Sequence, residues 1–103
     1  MDGRILGSLG LCSKAGKLIF GVPMIIEAMQ KGKNVLLVLE AGDTSDNTHK
    51  KISDKCNFYQ VEKIQLDIDG GALACAVGKG STLAAVAITD EGFYKMVSKY
   101  FDK

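Results

Sequence analysis

Apolar residues recur along this chain at two different spacings. Over residues 2–14, Ile5, Leu6, Leu9 and Cys12 stand three or four positions apart, which predicts a helix with one buried side. Gly3, Gly7 and Gly10 lie within it, each costing a helix roughly 0.5–1 kcal/mol relative to alanine. Gly3 and Gly7 share a face, so they are expected to admit a closely packed neighbour. Residues 17–20 read as a short strand or an extended connector. Gly21-Val22-Pro23 then opens a second helix, since proline is tolerated in a first turn. Ile26 and Met29 face inward along it, and Gly32 ends it.

Residues 34–40, NVLLVLE, form a nearly continuous apolar run, the pattern of a central strand buried on both faces. A polar loop over 41–48 leads to a third helix, expected to reach about Cys56, with Lys50, Lys51 and Lys55 on a basic side. Residues 60–65 alternate as an outer strand. Asp67 or Asp69 caps a helix running to about Val77, and 78–82 form a turn. Residues 83–89 are a second buried strand, and Asp90 caps a last helix carrying Phe93, Met96, Val97 and Tyr100. Helices alternating with strands predict the α/β class, a three-layer α/β/α sandwich in a single domain spanning residues 1–103.

Composition narrows the possibilities. Hydrophobic residues make up 47% of the chain, enough for a packed core without disulfides. No apolar run approaches the roughly 18–20 residues that span a membrane, and the first residues lack the layout of a secretory signal. A soluble, cytoplasmic, unexported protein is expected. Cys12, Cys56 and Cys75 are odd in number and widely spaced, which argues against a disulfide framework or zinc ribbon. All three are expected to be small buried hydrophobes. Net charge is +1, yet residues 1–33 carry five basic residues against two acidic ones, so the N-terminal third is mildly positive.

The residues for catalysis are missing. His49 is the sole histidine and sits in a polar stretch, so it is expected to be solvent-exposed, without a histidine relay or multi-histidine metal site. Gly78-Lys79-Gly80-Ser81-Thr82 has phosphate-loop residue types in the wrong order, and it leads into a strand instead of a helix. Gly70-Gly71 fails the dinucleotide spacing. The carboxylate pairs Asp67/Asp69 and Asp90/Glu91 stand where helix caps and first-turn acids belong. A non-enzymatic protein with no metal and no cofactor is expected.

Two polar loops remain. Ser13-Lys14-Ala15-Gly16-Lys17 precedes the helix opening at Gly21, and Gly78 to Thr82 precedes the last strand. Glycines allow close approach, helix-start amides attract anions and lysines neutralise phosphate, so the two loops together could grip a nucleic-acid backbone. Turn chemistry alone accounts for the same residues equally well.

Several segments taken together resemble the ribosomal L7Ae superfamily of kink-turn RNA-binding proteins, and within it a bacterial YlxQ-like branch. They are Ala15-Gly16-Lys17-Leu18-Ile19-Phe20-Gly21, Val38-Leu39-Glu40-Ala41, and Asn47-Thr48-His49-Lys50-Lys51 with Asp54-Lys55-Cys56-Asn57. Leu73-Ala74-Cys75-Ala76-Val77-Gly78 leading into Val86-Ala87-Ile88 completes the set. The likeness implies a mixed four-stranded sheet and an RNA site at the start of the second helix and the loop before the last strand. It places Gly16, Lys17 and Gly21 on the family's Gly, Lys and Gly, Glu40 on an acidic position and Gly78 before the capping loop.

The expected RNA-binding residues are Lys14, Gly16, Lys17, Gly21, Val22, Lys31, Glu40, Gly78, Lys79, Gly80 and Ser81. Where kink-turn readers carry polar side chains after the second glycine, this chain has Val22, Pro23 and Met24. Glu27 replaces a lysine, and Lys79 an aliphatic residue. Reading of RNA backbone and shape is therefore expected over reading of bases. The expected partner is structured RNA, ribosomal or messenger. The alternative is a translation or transcription factor docked on an exposed patch of Val22, Pro23 and Met24.

Overall fold

The structure, a computed structural model, describes residues 3–101. Its elements are α1 (Arg4–Lys14), β1 (Leu18–Phe20), α2 (Val22–Gln30), β2 (Leu37–Glu40), α3 (Asp46–Tyr59), β3 (Glu62–Gln65), α4 (Gly70–Ala76), β4 (Ala85–Ile88) and α5 (Glu91–Ser98). The expected start of the first helix at Asp2 lies outside the described residues. Within residues 17–20, Leu18–Phe20 forms a strand and Lys17 precedes it, so the sheet has four strands in the order β1-β4-β2-β3. β2 and β3 run parallel, while β4 is antiparallel to both β1 and β2. The sheet is mixed, as the resemblance implied.

The two most apolar runs became the two central strands, each with all four residues buried. Strand alternation sends their side chains into separate layers. Leu37, Leu39, Val86 and Ile88 join Ile5, Leu9, Leu73 and Val97 of α1, α4 and α5. Val38, Ala85 and Ala87 face the other way, against Ile25, Ile26 and Met29 of α2 and Ile52 and Cys56 of α3. Alanines at 85 and 87 let α2 lie close to the sheet. The result is the α/β/α sandwich. Among the described residues, no helix is long and apolar enough to cross a membrane.

Some boundaries moved for local reasons. α3 continues past Cys56 to Tyr59 because Gln60, at φ 57°, supplies the left-handed turn that ends it. Gln60 is thereby removed from the strand expected to begin there. Asp69 caps α4, its carboxylate accepting from Ala72 N at 2.7 Å. Of the α1 glycines, Gly10 is the one that needs to be small. A Cβ there would stand 3.1 Å from the Ala76 carbonyl of α4, whereas one at Gly3 or Gly7 would meet nothing within 4 Å. Cys12 and Cys56 are buried, and burial raises the Cys12 thiol to about 11 and the Cys56 thiol in the same direction. Cys75 is exposed, correcting the expectation for all three: it stands on the outer side of the short α4.

Candidate nucleic-acid interface

Two helix ends build one side of the site. α1 stops at Gly16 (φ 72°), with Gly16 N donating to Ser13 O at 3.0 Å and Lys17 N to Cys12 O at 3.0 Å. α4 stops the same way at Gly78 (φ 77°), with Gly78 N donating to Cys75 O at 3.2 Å and Lys79 N to Ala74 O at 2.9 Å. Both are Schellman endings, in which glycine adopts a left-handed turn and the next residue is pinned by its own amide. Gly16 and Gly78 are thus accounted for by helix termination, and the residue each ending fixes is a lysine. Ser13 Oγ donates to Val77 O at 2.8 Å, tying the two endings together.

Lys79 reaches the edge strand. Its Nζ sits 4.2 Å from the centre of the Phe20 ring, a cation–π contact. Lys17 immediately precedes β1, about 10 Å from Phe20 along an extended strand. The Ser13–Val77 hydrogen bond brings the helix endings at 14–17 and 78–81 side by side, with Gly80 and Ser81 exposed. Lys17 sits at the end of β1 away from Gly21, its carbonyl accepting from Thr89 N at 3.2 Å.

Gly21 stands where β1 passes into α2. Its φ of 86° and ψ of 148° suit glycine, its amide donates to Ala85 O at 2.9 Å, and no side chain caps the helix it opens. First-turn amides lack intrahelical partners, and with Pro23 at the second position the available donors are those of Val22 and Met24. Beside them runs an open groove of about 340 Å³ lined by Gly21, Val22, Pro23, Thr48, Lys51, Thr82, Leu83 and Ala84. It joins the start of α2, the first turns of α3 and the approach to β4. Lys51 is exposed and supplies its positive charge.

Thr48, Lys51, Leu83 and Ala84 were not among the residues expected from the sequence, whereas Thr82 closes the second of the two loops expected to grip RNA. Lys51 is 30 positions from Gly21, and only the packing of α2 against α3 brings them together. Helical spacing does place Thr48 and Lys51 on one side of α3, the sole local signal.

Two expected residues fall elsewhere, and a third is mostly buried. Val22 lines the groove but is 6% exposed and packs in the α2–α3 layer, so its side chain forms no apolar patch with Pro23 and Met24. Lys31 lies at the far end of α2, about 13 Å along the axis, and pairs with Glu27 at 2.7 Å. That hydrogen bond holds the Glu27 carboxyl below its usual range.

Glu40 is wholly buried. Its Oε1 accepts from Lys63 Nζ at 2.5 Å, and its Oε2 lies 2.7 Å from His49 Nδ1. It cannot meet RNA directly. His49 is correspondingly half-exposed and anchored, which modifies the expectation of a free surface histidine.

A larger hollow of about 540 Å³ lies where β2 and β3 lead into their following loops, lined by Gly42, Gln65, Leu66, Ile68 and three aspartates, Asp43, Asp67 and Asp69. Its carboxylates repel phosphate, so the smaller groove is the better candidate. Among the described residues no group of three or more His, Cys, Asp or Glu side chains could hold a metal ion.

Known proteins resemble this chain in sequence and in fold. Residues 4–98 match the model of the "Ribosomal protein L7Ae/L30e/S12e/Gadd45 family". The chain is 34% identical over 94 residues to the RNA-binding protein YlxQ of Bacillus subtilis (strain 168), covering 91% of each chain. It is 30% identical over 99 residues to the RNA-binding protein YlxQ of Enterococcus faecium, covering 96% of this chain and 92% of that one.

Among solved structures, a Bacillus halodurans protein of unknown function superposes with a TM-score of 0.86 at 29% identity, covering 99% of this chain and all of that one. A Giardia lamblia 15.5kD RNA binding protein has the same fold, with a TM-score of 0.75 at 15% identity over 96% of this chain and 86% of that one. With its family model, its near-full-length YlxQ relatives and its sandwich all in agreement, the chain belongs to the ribosomal protein L7Ae/L30e/S12e/Gadd45 family.

Proposed function

We propose that this protein binds structured RNA, ribosomal or messenger, without catalysing a reaction, and that it does so at the rim formed by Gly21, Lys51, Lys79 and the 82–84 segment. The supporting observation is the groove itself: an uncapped helix start, an exposed lysine across from it and a glycine-jointed loop as its far wall. Amides and an ammonium group facing one open channel are the donors a phosphate backbone requires. The relatives named as RNA-binding proteins agree with this reading.

The groove is poor in base-reading groups. Pro23 and Met24 expose carbon and sulfur where hydrogen-bonding side chains would read base edges. The protein therefore recognises the shape of a bent or looped RNA, kink-turns included, chiefly through its backbone. With Lys17, Lys51 and Lys79 each neutralising one phosphate, log K should fall with log salt at a slope of about −2 to −3.

Filter binding against a kink-turn RNA and a straight duplex of equal length tests this. Measurable affinity, greater for the bent RNA and lost with that slope, is expected. No affinity for either RNA at low salt refutes the function. Equal affinity refutes shape recognition.

A further inference from the structure

One stripe of α3 leaves the groove and is not used by it. Thr48 and Lys51 line the groove, and Lys55 and Phe58 follow at further helical spacings. At 3.6 residues per turn, Lys51, Lys55 and Phe58 fall within about 60° of arc. Phe58 is 75% exposed, the most exposed large hydrophobic side chain among the described residues. Its ring meets Tyr59 edge-on, with centroids 4.9 Å apart and planes at 83°, so it is steadied at one edge while open to solvent. Asp54 borders the stripe, but Lys50 pairs with it at 2.8 Å, which leaves Lys51 and Lys55 to set the sign of the surface.

Resting on the RNA-binding reading above, we infer that the RNA interface continues out of the groove along α3: a single-stranded extension lies across Lys51 and Lys55 and stacks one base on Phe58. The distance suits it. Thr48 to Phe58 spans about 15 Å at 1.5 Å per residue, the length of about four stacked nucleotides at 3.4 Å each. So does the chemistry. An isolated exposed ring beside two cations is the make-up of a single-strand platform, where aromatic faces hold bases without regard to sequence. A protein partner would need a continuous apolar patch, yet the other exposed large hydrophobics, Leu11 and Met24, stand on α1 and α2.

The chain contains no tryptophan, so Phe58→Trp creates a single tryptophan at a surface position, excitable apart from the three tyrosines. A kink-turn RNA is prepared blunt, and with a four-nucleotide 5′ or 3′ overhang. One overhang should tighten binding about 5–10-fold and quench the Trp emission, while the blunt RNA should leave it bright. Phe58→Ala and Lys55→Gln should abolish the overhang's advantage and leave affinity for blunt RNA within about twofold. Equal affinity for blunt and extended RNA, with unquenched emission, overturns the extension while the groove stands. Failure to bind the blunt RNA at all overturns the underlying function with it.

Discussion

Changing Glu40 to glutamine preserves the shape of a fully buried side chain while removing its charge. In the native protein its two oxygens engage Lys63 and His49, and the Lys63 side chain is only 15% exposed. A glutamine amide can accept from one of them but turns a donor toward the other. Lys63 is then a nearly buried cation without a counter-charge. Removing one partner of a buried pair costs about 3–5 kcal/mol. His49 is 44% exposed and can turn to water, so the lower end, about 3 kcal/mol, applies here.

That is a large part of the roughly 5–15 kcal/mol that stabilises a domain of this size, and it corresponds to a melting point lower by about 12–24 °C. Lys63→Met should cost a similar amount, because it strands the carboxylate instead. The double variant Glu40→Leu/Lys63→Met replaces the pair with apolar volume and should recover to within about 1 kcal/mol of native. Urea unfolding of the native protein, Glu40→Leu, Lys63→Met and their double variant, at constant m-value, measures the coupling, with Glu40→Gln measured beside them. Two single variants each within 1 kcal/mol of native, or strictly additive losses in the double, would refute the reasoning.

Gly70→Ala should disturb the groove from behind. Its Cβ would lie 2.6 Å from the Leu83 carbonyl and 2.6 Å from Thr82 Cγ2, so the wall of the groove must shift at about 1–3 kcal/mol. RNA affinity should fall while the protein remains folded, and Gly71→Ala, whose Cβ meets only Asp69 Oδ1 at 3.4 Å, should bind normally. A thiol reagent at neutral pH should label Cys75 alone, with Cys12 and Cys56 reacting only in denaturant. Quantitative labelling by mass spectrometry checks the count.

Because burial lifts the Cys12 thiol from 9.0 to about 11, the unfolded chain loses that proton first as pH rises. Stability from this group should be intact below about pH 8 and fall by up to about 1.4 kcal/mol per pH unit between 9 and 11. Cys12→Ala should lack that component when the two unfolding profiles are subtracted.

What could be read from the sequence follows the physics of each feature. β2 and β4 were plain because a strand covered on both faces must be apolar throughout. The cap at Asp90 was legible, and that at Asp69 as one of two candidates with Asp67, because a cap depends on residues three apart. The left-handed Gln60 was not, since nothing local marks a non-glycine residue for that conformation.

The site divides in the same way. Gly21 and Lys79 could be found as turn chemistry beside a helix or strand. Lys51 could not, because its place opposite Gly21 is set by two helices packing on one face of the sheet. Glu40 and Val22 looked available from their positions in the chain, and the alternation of β2 and the inward face of α2 buried them.

The groove itself is tested most directly by recording amide NMR spectra of the labelled protein while a kink-turn RNA is added. The account predicts that the largest shifts fall on Gly21, Val22, Met24, Thr48, Lys51 and the amides of 78–84, and vanish at high salt. Shifts concentrated instead on the aspartate-lined hollow of Gly42, Asp43 and residues 65–69, or spread evenly over the surface, would contradict it.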